Sequence, residues 1–448
     1  MLTYEHDSAH WSWDIDRIHG KGYTDNVVDL MLDRLTRLPA ATLRALQILA
    51  CVGNSAHIAT LSIVLESSAE RLQAALWEAV HQELLERRND AYVFVHDRVR
   101  EAAYSLIPEE TRAADHLRIG RLLMAQTPAE QREEAIFEIV SHLNRGSALM
   151  TSQDERELLA ELDLIAGQRA KGSAAYASAL SYLIAGSALL APDSWERRHE
   201  LSFALEVNRA ECEVLAAELA DVEQRLSALS MRAVSAVEGA TVACLRSDLY
   251  HLTLGQDSRA VTVGLDYLRG VGIDWPPHPT EGDVRAEYQR IWSQQGCRTI
   301  EDLVNLPLIT DTTCLAILDV LTRIAIPRSV TNVNLSALMI CRAVNLSLEY
   351  GNCDASCAHY TSFGRILGSR FGDYEAASRF GRLACDLVDQ RGLARFKPLV
   401  YLVVGSNVTL WSKHVREGRD LVERGIDAAT KAGDLIFMAH GLLHMGAL

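Results

Sequence analysis

Apolar residues recur at three- and four-residue spacing over Ala41–Cys51 and again over Ile58–Glu66, which predicts two amphipathic helices. A third is predicted to open at the capping box Ser67-Ser-Ala-Glu70 and to run to about Gln82. The period then changes. Leu84-Leu85-Glu86-Arg87-Arg88 and Ala91-Tyr-Val-Phe-Val95 read as strands on either side of Asn89-Asp90, a pair that tolerates positive φ and so predicts a tight hairpin turn. After the junction His96-Asp97 the helical period returns. Val99, Ala102, Ala103 and Leu106 fall at i, i+3, i+4 and i+7 on one buried face, and Pro108 ends the helix. Ahead of all this, a polar lead-in precedes an amphipathic helix through Val27–Leu35 that Asp25 is placed to cap.

Helices, a hairpin and a capped final helix within residues 38–110 form a winged-helix signature. Beyond Pro108 the helical period dominates, with Ala, Leu and Glu abundant and few strand-like alternations. Aromatic residues are only 6 %, which suits helix pairs packed through small side chains. A long helix is expected from Asp193-Ser194-Trp195, with Leu201, Leu205, Cys212, Leu215 and Leu219 on its inner face. Segments beginning near Tyr176, Leu219, Asp257, Asp373 and His414 set small residues against apolar ones and recur at about 40 residues or its multiples. That period predicts a solenoid of helix hairpins resembling tetratricopeptide repeats. Gly270 to Pro279 interrupts it, because Pro276, Pro277 and Pro279 preclude regular helix and mark an exposed connection.

The fold class expected is therefore mainly α: a small winged-helix domain followed by a tetratricopeptide-like α-solenoid. Its parts are residues 1–37 as the end of a preceding module, 38–110 as the winged helix, 111–269 and 284–448 as helical repeats, and 270–283 as the Pro-rich connection. Neither end of the chain carries a terminating signal, so both are expected to be truncation points.

The chain of 448 residues has room for about three domains. Its net charge of -15, with Lys and Arg scattered, would repel a phosphate backbone and argues against nucleic acid as a partner. Nine cysteines, sparse and mostly on apolar helical faces, suit reduced thiols in the cytoplasm and imply no disulfide framework. No apolar signal core and no run of roughly 18 uncharged apolar residues is present, so membrane insertion is not expected.

Few residues carry chemistry. Gly20-Lys21-Gly22 lacks the first glycine and the hydroxyl of a phosphate loop. Gly364, Gly368 and Gly372 have the wrong spacing for one and read as close helix packing with a turn at Gly372-Asp373. Cys353, Cys357 and His359 lack a second ligand pair and read as buried side chains rather than a metal site. No catalytic residue is nominated, and no metal ligand or resident cofactor is expected. His96-Asp97 is the pair that stands out. In its structural role Asp97 caps the following helix while His96 donates to a backbone carbonyl.

The chain resembles the middle of large bacterial signalling proteins that join a serine/threonine kinase-like domain, an ATPase of the signal-transducing STAND type, helical repeats, sensor domains and a sensor histidine kinase. The resemblance rests on Trp11-Ser-Trp13-Asp14, Thr24 to Met31, Phe94-Val-His96-Asp97-Arg98, Ala102 to Pro108, His116 to Leu123, Asn345 to Asn352 and Phe371-Gly-Asp373-Tyr374. It implies a second role for His96 and Asp97, similar to a His-Asp motif that senses ADP across a winged-helix interface. ATP or ADP with magnesium is implied for the ATPase of such proteins, whose phosphate loop, acidic strand and phosphoacceptor helix this chain lacks. The expected function is a noncatalytic regulatory and protein-interaction segment whose partners are a protein or the adjacent ATPase and kinase domains. Two alternatives stay open: a component of a two-component sensor kinase whose ATPase and kinase parts lie elsewhere, and an ATPase-type transcription activator. The latter lacks a basic recognition helix, since Ala56-His57-Ile58-Ala59-Thr60-Leu61 is largely apolar.

Overall fold

A computed structural model describes residues 2–5, 10–13, 27–276, 278–324 and 332–447. The fold is mainly α, with a small winged-helix domain followed by helix hairpins of the tetratricopeptide-like kind. The chain separates into two compact units, residues 1–212 and 213–448.

Within the first unit the lead-in is not featureless. Strands β1 (Leu2–Glu5) and β2 (His10–Trp13) pair antiparallel, Leu2 opposite Trp13. Asp25 and Gly20-Lys21-Gly22 lie outside the described residues. Helices α1 (Val27–Thr36), α2 (Ala40–Val52), α3 (Ile58–Val64) and α4 (Ala69–His81) follow the predicted spans closely. The cap of α4 is Ser68, one residue later than expected; its hydroxyl accepts from the Arg71 N–H, and the residue three on is therefore Arg71 rather than Glu70. A short strand escaped the sequence reading: β3 (Ser55–His57) is three residues long, too short to show a period. It pairs with β5 (Ala91–Phe94), which also pairs with β4 (Leu85–Arg88), giving the order β3-β5-β4. In the hairpin only Asn89 takes positive φ, at 50°, so one residue of the Asn89-Asp90 pair turns the chain. Tyr92 and Phe94 alternate inward and close a core with Leu46, Leu49, Leu76 and Val99.

Helix α5 (Asp97–Ser105) buries Val99, Ala102 and Ala103 as the spacing predicts. After Pro108, α6 (Glu109–Gln126) packs on α7 (Ile136–Gly146), and α8 (Gln153–Gly172) on α9 (Tyr176–Leu189). The close approach has a requirement at Gly146: a Cβ there would stand 2.9 Å from the Ala113 carbonyl oxygen and 2.6 Å from Leu117 Cβ. Asp193-Ser194-Trp195 opens only a four-residue helix, α10 (Ser194–Arg197), after which α11 runs from His199 to Leu215. Leu215 is exposed and Leu219 lies past the helix end, so the inner face is shorter than expected; the chain turns at Ala217, where φ is 59°.

In the second unit, helices start at Val222, Asp257, Tyr374 and Val415, within three residues of the repeat starts read from the sequence. Its core carries an aromatic cluster. Phe363 meets Phe380 edge-on at 5.0 Å, and Tyr288 stacks on Phe371 at 4.0 Å. The Gly364, Gly368 and Gly372 series is packing, as expected: a Cβ on Gly368 would meet the Tyr374 ring at 2.9 Å, and Gly372 caps its helix at φ +74°. The Pro-rich stretch is less exposed than predicted. Val271 and Gly272 turn the chain out of the preceding helix, Gly272 at φ 89°, and beyond them Ile273 and Trp275 pack onto the core while Asp274 and Pro276 stay exposed. Pro279 is buried and its carbonyl accepts from Asn334; Pro277 lies outside the described residues.

Candidate interaction site on the winged helix

His96 and Asp97 stand at the start of α5, both exposed. The hairpin delivers them: β5 ends at Phe94, and Val95 places an exposed apolar side chain beside the pair. The capping roles are reversed from expectation. His96 is the N-cap, with extended backbone at φ −146° and ψ 140°, and its Nδ1 accepts the Arg98 N–H at 3.1 Å. Asp97 is the first helical residue, where a carboxylate favours the positive end of the helix dipole. Both residues suit a helix start; the extended backbone at His96, against the helical backbone at Asp97, decides which one turns back onto the amide, and residue type alone does not set that boundary. With Nδ1 occupied as an acceptor, the proton of the neutral ring sits on Nε2, which is left to donate outward.

At the other end of α5 lies a polar chain with two buried imidazoles that sequence reasoning missed. Arg145 Nη1 approaches the Tyr104 hydroxyl at 3.5 Å, that hydroxyl meets His116 Nε2 at 3.0 Å, and His116 Nδ1 meets His142 Nδ1 at 2.9 Å. Only one hydrogen can lie between two Nδ1 atoms, so one imidazole donates and the other accepts. Both rings are buried, and burial pushes both down to about 4, with the Arg145 guanidinium acting in the same direction. Beside them Asp115 forms a two-pronged ion pair with Arg44, one arm at 2.8 Å, and the Asp115 hydrogen bond raises the Arg44 guanidinium further. The signal that was available is the run Asp115-His116 inside an otherwise apolar helical face.

The other candidates carry no ligand geometry. Cys353 caps a helix through Ser356, Cys357 is buried, and His359 Nε2 lies 3.0 Å from the Thr322 hydroxyl. Burial raises the Cys51, Cys244, Cys314, Cys341 and Cys385 thiols to about 12, leaving them unreactive. No group of three or more potential metal ligands occurs among the described residues. No helix among them is long and apolar enough to cross a membrane. The stretch Asn345 to Asn352 is structural. Asn345 donates to the Glu287 carbonyl and carboxylate, and Asn352 donates to the Leu303 carbonyl at 2.8 Å while accepting from the Tyr360 hydroxyl.

No protein-family profile matches the chain. A Signal Transduction ATPase with Numerous Domains (STAND) protein with a tetratricopeptide repeat sensor, from Pyrococcus horikoshii, superimposes with a TM-score of 0.38 at 12 % identity, over 95 % of this chain and 62 % of that one. The chain is also similar to hybrid signal transduction histidine kinase G of Dictyostelium discoideum, at 22 % identity over 521 aligned positions. That similarity takes in 97 % of this chain and 15 % of the relative, so the chain spans only a small part of that relative's length.

Proposed function

We propose that this chain is a noncatalytic regulatory and protein-interaction segment of a signal-transduction protein in which a STAND-type ATPase is linked to a histidine kinase. The observation that carries the reading is His96: exposed, held by its own helix cap, and left with Nε2–H directed away from that cap. Such a donor suits a phosphate oxygen of ADP held by a neighbouring ATPase module, and Asp97 beside it adds a carboxylate to the same contact surface. The nucleotide and its magnesium belong to that module. Residues 1–37 complete it, the winged helix touches it, and the helix hairpins on either side of residues 270–283 present faces to a protein partner.

Transmission follows from α5. From the His96 cap to Tyr104 is eight residues, about 12 Å of helix, and Tyr104 is bonded into α6 and α7 through His116 and His142. A contact at His96 that favours one nucleotide state thus biases one of two arrangements of a rigid helix and the hairpin bonded to it. The hybrid histidine kinase relative favours a second reading, a sensor-kinase component whose kinase parts lie elsewhere in the assembly. The coding DNA on either side tests both. An in-frame phosphate loop upstream supports the first; a histidine kinase gene adjacent but separate supports the second; neither feature in the flanking DNA contradicts both.

A further inference from the structure

Between the end of α2 and the helices α5, α7 and α9, the first unit encloses an open cleft of about 620 Å3. That is within the range of small-molecule sites, roughly 300–1,000 Å3. Two guanidiniums line it, Arg100 and Arg145, in a chain whose net charge is -15. Neither has a carboxylate within ion-pair distance, whereas Arg44, Arg98, Arg118, Arg121, Arg197 and Arg198 of the same unit each have one. Arg100 Nε is moreover buried with no hydrogen-bond partner, a costly arrangement in a folded protein unless something supplies the acceptor. His142 also lines the cleft, its Nδ1 taken by His116. The walls between these cations are aromatic: Tyr104, Phe137 and Tyr182, with Phe137 and Tyr182 at 5.7 Å and inclined by 30°.

We infer that this cleft is a binding site for a small organic anion, a phosphate or carboxylate joined to a planar ring. The oxygens meet Arg100 and Arg145, whose charge-assisted bonds are the strong ones, and the ring lies along Phe137 and Tyr182. An anion also selects one order in the buried chain. Arg145 donates to the Tyr104 oxygen, Tyr104 O–H to His116 Nε2, and His116 Nδ1–H to His142 Nδ1, so that His142 presents Nε2–H as a further donor. Glu138 lines the same cleft and opposes the anion, which sets the sign of one variant below. The site is built without the nucleotide contact and does not rest on the function proposed for His96.

Calorimetric titration of the full chain with phenyl phosphate, benzoate, inorganic phosphate and phenol tests this. Phenyl phosphate or benzoate is expected to bind with a Kd below about 1 mM, the tighter of the two identifying the headgroup, and inorganic phosphate and phenol at least about tenfold more weakly. Arg100→Gln and Arg145→Gln should each weaken binding about tenfold with the melting temperature unchanged, and Glu138→Gln should tighten it. His96→Ser should leave the affinity as it is, which separates this site from the nucleotide reading. Absence of saturation by either ring anion at 10-fold the expected Kd, or an affinity in both arginine variants equal to that of the unaltered chain, overturns the site. Inorganic phosphate binding as tightly as phenyl phosphate overturns the aromatic part.

Discussion

In the first unit a polar chain runs from the exposed Arg145 through the half-buried Tyr104 to the buried imidazoles of His116 and His142. In the second unit local bonds fix the turns: Asn352 holds the Leu303 carbonyl, Ser347 pairs with Ser356, and Phe363 and Phe380 lie in the surrounding core. The first arrangement ties three helices together through groups that titrate, whereas the second fixes turns with groups that do not. A change in protonation or in a contact at one end is therefore felt along α5 to α7, and the second unit behaves as a packed body that responds to loss of volume.

The largest effect expected is in the aromatic core. Phe363→Ala should cost about 3–5 kcal/mol, because the ring is fully buried against Phe380 and Trp292 and the cavity cannot collapse among other rings. Its denaturation midpoint should fall equally at pH 7 and pH 5; a loss that grew on acidification would erase the distinction between the units.

Acid should act on the first unit. Unfolded imidazoles take up protons near 6.5 and the folded His116 and His142 only at about 4, so across that window protons favour the unfolded chain. Stability contributed by the neutral pair is present above pH 6.5 and is lost as pH falls toward 4, by roughly 2–3 kcal/mol given about 1.4 kcal/mol per pKa unit and a pair that shares one contact. His142→Gln should flatten that slope in urea titrations run from pH 7 to pH 4.5.

Asp163 works in the opposite direction. It is fully buried on α8, Oδ1 accepts from Asn144 at 2.7 Å, Oδ2 has no partner, and burial raises the carboxyl to about 7. The unfolded acid ionises near 3.8, so stability is lost as pH rises from there through 7. Asp163→Asn should stabilise the chain at pH 8, by up to about 1.4 kcal/mol per pKa unit of elevation, and the gain should shrink toward nothing as pH falls to 3.8. Equal melting temperatures for the two proteins at pH 8 would contradict the raised carboxyl.

The smallest effect is at the cap. His96→Ala should cost about 0.5–1 kcal/mol, and His96→Ser close to nothing, because a serine hydroxyl accepts the same amide. Thermal melts of the two variants side by side read that difference.

Much of the fold was legible because it is periodic. The helices of residues 40–105, the hairpin and the starts at Tyr176 and Asp257 follow from apolar spacing, and Gly368 and Gly372 from what close packing demands. What escaped was either short or non-local. Ser55–His57 becomes a strand only because β5 offers it an edge, and the helix predicted through Leu219 stops where Ala217 turns back. At the candidate site the sequence placed His96 and Asp97 at the helix start but assigned the cap to the wrong one of the two. The Tyr104, His116 and His142 chain joins three helices, and only the polar run Asp115-His116 on an apolar face marks it in the sequence.

The central claim is that His96 reports a nucleotide state while the cap merely holds it in place. The measurement that addresses it is the basal signalling output of the full-length protein saturated with ADP, compared between His96→Ser and the unaltered protein, with melting temperatures taken on the same samples. Loss of one charge-assisted hydrogen bond, about 1.5–3 kcal/mol, should raise basal output roughly ten- to a hundred-fold while the retained cap leaves the melting temperature unchanged. Output equal to that of the unaltered protein, at equal melting temperature, would contradict the sensor role and leave His96 as a helix cap alone.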